Sequence, residues 1–135
     1  MLSLGGDVEG ISVLITHPFL PILVSGSADA VIRVWDLESR TLLRTLEGHT
    51  HNIWGLSFDP AGRRLASGAY DHTARLWDLD SGACLHTLEG HRGSVFAVVW
   101  DAAGSLAASC SYDESVRIWD ATSGALRHTL EGHSN

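Results

Sequence analysis

The sequence predicts an all-β protein built from three copies of one four-stranded antiparallel unit. Trp-Asp occurs at 35–36, 77–78 and 119–120, and Gly-His at 48–49, 90–91 and 132–133, so both dipeptides recur every 42 residues. A fixed period of that size is the signature of stacked supersecondary units. Within each period, short runs with alternating apolar positions are separated by Asp, Pro and Gly, and no stretch holds a helical period.

The first unit reads ISVLIT, ILVSGS, VIRVWD and TLLRTL, with HPFLP between the first two strands. The second reads IWGLSF, RLASGA, TARLWD and ACLHTL, with turns at DPAGR, YDH and LDSG. The third reads VFAVVW, LAASCS, SVRIWD and ALRHTL, with turns at DAAGS, YDE and ATSG. Lengths of five or six residues bounded by turn-formers suit half-buried strands. The period divides the chain into a degenerate fourth-strand segment at 1–9, units at 10–47, 48–89 and 90–131, and the start of a next unit at 132–135.

Composition narrows the function classes. Of the 135 residues, 44 % are hydrophobic and 19 % charged, which is globular, and the net charge is -7. All nine cationic residues are arginines scattered along the chain. Nucleic acid and anionic membrane surfaces are therefore poor partners. Cys84 and Cys110 lie in no CxxC or CxxH spacing, so neither a disulfide framework nor a metal site is expected, and no cofactor is implied. The N-terminus has no basic n-region, and the apolar run from Ile11 is broken by His17, Pro18 and Pro21. These features predict a soluble, cytoplasmic protein.

Units of this length that open with Gly-His and close their third strand with Trp-Asp resemble WD repeats, the blades of β-propellers. The likeness covers residues 10–131 in three copies of one register. It implies that each blade is locked by a hydrogen-bonded set. That set joins the Gly-His histidine, a second-strand serine, the aspartate of the following turn and the third-strand tryptophan. By position these are His49, Ser67, Asp71 and Trp77 in the second unit, and His91, Ser109, Asp113 and Trp119 in the third. Ser, His and Asp at fixed spacing also raise a hydrolase triad. Recurrence with the repeat and the absence of a nucleophile-elbow signature favour the structural role. The first unit keeps Ser25, Asp29 and Trp35 but has Asp7 where a histidine is expected.

Three blades side by side leave two apolar flanks, whereas propellers close at about four to eight blades. The ring is expected to be completed either by further sequence or by homo-oligomerisation, a head-to-tail dimer being the favoured closed form. In that dimer, Gly132-His133 of one copy would approach Ser25, Asp29 and Trp35 of the next.

The resemblance places the usual contact surface on the loops before the first strand and between the second and third. The matching positions are Gly10, Ser12 and Ala28, then Asn52, Trp54 and Tyr70, then Ser94, Phe96 and Tyr112. Asn52, Trp54, Tyr70, Phe96 and Tyr112 are thus the candidate partner-binding residues, with His72 at the edge, and a peptide or protein is the expected partner. The alternative is that Trp54 and Phe96 only fill space inside the ring. A non-catalytic interaction scaffold is the leading function. Its rivals are an enzyme on the central channel and the regulatory repeat part of a larger protein. Arg33, Arg75 and Arg117, two residues before each Trp, are expected to stack or pair within their blades. Trp100 is expected in the core, Cys110 as a small buried hydrophobe, and Cys84 as the more reactive thiol.

Overall fold

The computed structural model describes residues 10–131. Twelve strands follow in chain order: β1 (Ile11–Thr16), β2 (Ile22–Ser27), β3 (Ile32–Asp36), β4 (Thr41–Leu46), β5 (Ile53–Phe58), β6 (Arg64–Ala69), β7 (Ala74–Asp78), β8 (Cys84–Leu88), β9 (Val95–Trp100), β10 (Leu106–Ser111), β11 (Val116–Asp120) and β12 (Leu126–Leu130). They form three four-stranded antiparallel sheets, β1–β4, β5–β8 and β9–β12, each a meander. These are three propeller blades, and the ring is not closed. The segments at 1–9 and 132–135, including Asp7 and the Gly132-His133 pair, lie outside the described residues.

The third strand of each blade starts one residue later than the alternation suggests. The reason is local: the turn aspartate takes the backbone N–H that would begin the ladder. Val31 donates to Asp29 Oδ1 at 3.1 Å, Thr73 to Asp71 Oδ1 at 3.0 Å and Ser115 to Asp113 Oδ1 at 2.9 Å. The residue between donor and acceptor in each turn has a left-handed backbone, at Ala30, His72 and Glu114.

Blade packs on blade through the first strand. β5 lies against β1 and β2, and β9 against β5 and β6. Two buried clusters result, one per joint. The first joins Val24, Ile32, Val34 and Leu46 of blade 1 to Ile53, Leu56, Leu65 and Trp77 of blade 2. The second joins Ala66, Ala74, Leu76 and Leu88 of blade 2 to Val95, Val98, Ala107 and Trp119 of blade 3. Apolar burial at about 25 cal/mol per Å² makes these joints the main cohesive contacts between units.

Polar contacts finish the joints. His17 occupies the position that is Asp59 and Asp101 in the other blades, and like them accepts from backbone N–H groups of the turn that follows, though from residues nearer in sequence. Its Nδ1 accepts from Phe19 N–H and Leu20 N–H at 3.0 Å each. Asp59 Oδ1 accepts from Arg63 and Arg64 N–H, and Asp101 Oδ1 from Ser105 and Leu106 N–H. Accepting at Nδ1 places the ring proton on Nε2, which donates to Gly62 O of blade 2 at 2.8 Å. Trp100, expected in the core, is half-buried: it packs on the second cluster, donates to Ser57 O at 2.9 Å and lies beneath the Arg64 guanidinium.

Candidate functional site

The candidate face is made by a repeated irregularity. In each blade the pairing of the first two strands skips one residue: between Ile11 and Val13, between Ile53 and Gly55, and between Val95 and Ala97. Such a bulge leaves the extra residue out of the ladder and re-aims its side chain. The bulged residues are Ser12, Trp54 and Phe96. Trp54 and Phe96 are exposed, whereas Ile53 and Leu56 beside Trp54 are buried in the blade joint.

The loop after the second strand is tied to the same end of the blade. Tyr70 N–H donates to Asn52 O at 2.9 Å and Tyr112 N–H to Ser94 O at 3.0 Å, as Ala28 N–H does to Gly10 O at 3.0 Å. Tyr70 and Tyr112 are both exposed. The Phe96 and Tyr112 rings pair with centroids 4.9 Å apart, and Tyr70 pairs with His51 at 5.9 Å. Asn52 is half-buried, its Oδ1 2.9 Å from the Ser12 hydroxyl of blade 1. His72, at the edge, holds the left-handed turn position.

Beneath this face lie the hydrogen-bonded sets. Trp77 Nε1–H donates to Ser67 Oγ at 2.8 Å, and the Ser67 hydroxyl reaches His49 Nε2 at 2.7 Å. His49 Nδ1 lies 2.8 Å from Asp71 Oδ2, which also accepts Thr50 N–H at 3.0 Å. Only one arrangement satisfies every group: indole to hydroxyl, hydroxyl to Nε2, and Nδ1–H to carboxylate. Blade 3 repeats it, with Trp119 to Ser109 at 2.9 Å, Ser109 to His91 at 2.7 Å and His91 to Asp113 at 3.0 Å. Burial alone would raise the Asp71 carboxyl, yet the bonds from His49 and Thr73 hold it well below the usual range. Asp113 behaves likewise, with burial opposed by Ser115, the Arg92 N–H and His91. The Ser–His–Asp order is that of an activated nucleophile, but Ser67 and Ser109 are fully enclosed, so a substrate carbonyl has no access to either hydroxyl.

Blade 1 is wired differently. Trp35 Nε1–H still donates to Ser25 Oγ at 3.1 Å. Asp29 turns instead to Arg33, whose Nη2 lies 2.8 Å from Oδ2, and to Ser27. The Arg33 bond is the chief reason the Asp29 carboxyl is held at about 2. Arg75 and Arg117, the counterparts of Arg33, lie over the glycines of the Gly-His pairs. A Cβ on Gly48 would fall on the Arg75 guanidinium, and one on Gly90 on that of Arg117. With the arginines in these positions, a side chain at Gly48 or Gly90 would displace the guanidinium above it.

Among the described residues no group of three His, Cys, Asp or Glu side chains is placed to hold a metal ion. Nor is any helix there long and apolar enough to cross a membrane. Cys84 is exposed on β8, whereas Cys110 is half-buried and its thiol is pushed up by burial.

Three bulged blades, each closed by a Trp–Ser pair, define a propeller-type repeat array. The family model of the WD domain, G-beta repeat, matches residues 2–36, 40–78 and 82–120, and the chain belongs to that family. Similar sequences include coatomer subunit beta'-1 of Arabidopsis thaliana, 48 % identical over 40 residues, which are 30 % of this chain and 4 % of that protein. A Lissencephaly-1 homolog of Monosiga brevicollis is 37 % identical over 64 residues, 47 % of this chain and 16 % of that protein. DDB1- and CUL4-associated factor 13 of Dictyostelium discoideum is 39 % identical over 64 residues, 47 % of this chain and 14 % of that protein. The chain thus spans a small part of the relatives it matches.

Proposed function

We propose that the chain is part of a non-catalytic scaffold that takes a peptide or protein segment on Asn52, Trp54, Tyr70, Phe96 and Tyr112. The observation that carries this reading is the bulge, which turns Trp54 and Phe96 out of the ladder and onto the end of the blades where Tyr70 and Tyr112 are exposed. Large aromatics held on a rigid frame bury much area at little rotamer cost, which is what binding hot spots require. The names of two relatives, a coatomer subunit and a DDB1- and CUL4-associated factor, speak of assembly with other proteins, which is compatible with a scaffold role for this chain.

The test is selection of a peptide from a displayed random library on the wild-type chain, followed by its affinity for Trp54→Ala and Phe96→Ala. Loss of a hot-spot aromatic costs about 2 kcal/mol, or roughly 30-fold in Kd, with urea unfolding little changed. Unfolding of both variants, or undiminished binding of the selected peptide, would overturn the proposal and leave the two rings as fillers of space.

A further inference from the structure

The turn between β1 and β2 departs from its two counterparts. It reads HPFLP where the other blades have DPAGR and DAAGS, and so sets Phe19 where they have Ala61 and Ala103. Phe19 is 71 % exposed. That exposure belongs to the position and not to an uncovered flank, because Ala61 and Ala103 are exposed although each has a preceding blade beside it. Leu20 lies at the next position, where Gly62 and Gly104 are covered by His17 and Arg64 of the preceding blade, so of the two residues only Phe19 is surface in a fully flanked blade. The ring is also held. Phe19 N–H donates to His17 Nδ1, Leu37 N–H donates to Pro21 O at 2.8 Å, and Pro18 and Pro21 fix φ on either side.

His17 carries the contact inward: its ring centroid is 5.9 Å from that of Phe19 and 4.9 Å from that of Phe58 in blade 2. Phe58 is one wall of a cavity of about 360 Å³ between the first strands of blades 1 and 2, with Ile15, Pro18, Leu56 and Pro60 as its other apolar walls. At the next joint the Phe58 position is Trp100, whose indole reaches across to Ser57 O of the earlier blade. Phe58 has neither the second ring nor the N–H, and here the space stays open. Charge decides what such a site takes. At this end of the blades Asp59 and Asp120 are paired with Arg64 and Arg127, which leaves Asp36, Glu38, Asp78, Asp80 and Asp101 against Arg40, Arg44 and Arg63. We propose that this end of the first joint binds a segment of a second protein that places an apolar side chain in the cavity, beside Phe19, with lysine or arginine on either side of it. A held aromatic ring next to an apolar cavity supplies contact area at little rotamer cost, and the excess of carboxylates selects the sign of the partner. Trp54 and Phe96 stand near the start of their first strands and this turn follows the end of β1, so the site lies at the opposite end of the blades from the aromatic face and stands or falls separately from it.

The test is fluorescence polarisation of short labelled peptides, each with a central leucine flanked on both sides by paired lysines, glutamines or glutamates, titrated with the chain. Affinity is expected to fall in that order, and that of the lysine peptide to weaken with added salt. Phe19→Ala, which installs the residue of the other two blades, should raise the Kd of the lysine peptide roughly 10-fold, as should Phe58→Trp by filling the cavity, while Trp54→Ala leaves it unchanged. No binding of the lysine peptide, equal binding of the glutamate peptide, or a Kd that ignores both Phe19→Ala and Phe58→Trp overturns the proposal. A Kd that moves only in Trp54→Ala overturns it too, and assigns the peptide to the aromatic face. Should a variant fail to fold, amide shifts in the isotope-labelled wild-type chain decide: the lysine peptide should move Ile15, Phe19 and Phe58, and shifts confined to other residues would contradict the site.

Discussion

Replacing the central serine by alanine should cost more in blade 3 than in blade 1. Ser109→Ala removes the acceptor of the Trp119 indole N–H and the hydroxyl that reaches His91 Nε2, bonds of 2.9 and 2.7 Å. Ser25→Ala removes one described bond, that from Trp35 at 3.1 Å. Both serines and both indoles are buried, so water does not replace what is lost. A buried polar group left unpaired costs about 1–3 kcal/mol, which puts Ser109→Ala at about 2–4 kcal/mol and Ser25→Ala at about 1–2 kcal/mol. Blades 1 and 3 meet the middle blade through opposite faces, but the Trp35 and Trp119 indoles are equally shielded from solvent, at 2 % and 4 % exposed. Urea unfolding followed by far-UV circular dichroism measures both losses. Equal losses, or a larger loss at Ser25, would refute the claim that histidine and serine act as one unit in the complete sets.

Three further outcomes are expected. The carboxyls of Asp29, Asp71 and Asp113 have folded-state values below the ordinary 3.8, so their stabilisation is complete above that value and lost as pH falls through the folded ones. The Tm should therefore drop between pH 4 and pH 2, less steeply in Asp71→Asn, and parallel slopes in the two proteins would contradict this. Arg40 holds a left-handed backbone, φ 59°, where the other blades have Gly82 and Gly124, so Arg40→Gly should raise stability by about 0.5–1 kcal/mol once the added unfolded-state entropy is counted. An unchanged or lower Tm would show that the turn is not strained. His17→Asp should be less damaging than His17→Ala, because a carboxylate can accept from Phe19 and Leu20 N–H as Asp59 does from its own turn, and only the bond to Gly62 is lost. The reverse order in urea midpoints would dismiss the equivalence.

Most of the frame was legible because the 42-residue period turns three weak strand patterns into one strong one. What alternation concealed was the bulge. By simple period-two counting Trp54 shares a side with Leu56 and Phe58, but the skipped residue puts Ile53 on that side and sends Trp54 outward. A bulge adds a residue without changing composition, so hydrophobic pattern alone does not reveal it. His17 was visible as an oddity in HPFLP, yet its role appears only when it is set beside Asp59 and Asp101. Imidazole and carboxylate share one property there, an acceptor at turn distance. The rewiring of Asp29 to Arg33 was likewise hidden, since Arg33 has the same spacing as Arg75 and Arg117 but a different partner.

The same geometry explains why such units can diverge in what they bind. Residues that face two neighbours, such as Ser67, Trp77 and Gly68, are constrained from both sides: Gly68 by Val95 of the next blade, and Ser67 by indole and imidazole together. The Trp54 and Phe96 rings have left the ladder and stand exposed, whereas Ser12 at the same position bonds across the joint to Asn52 of blade 2. Ser12, Trp54 and Phe96 occupy it in turn without any change in the strand order beneath. A substitution there alters what the face offers at little cost to folding, whereas a side chain at Gly68 would run into Val95 of the next blade, backbone carbonyl included. Recognition at this end of the blades is accordingly expected to be set at the bulges and the neighbouring Tyr70 and Tyr112 loops, and stability in the joints below them.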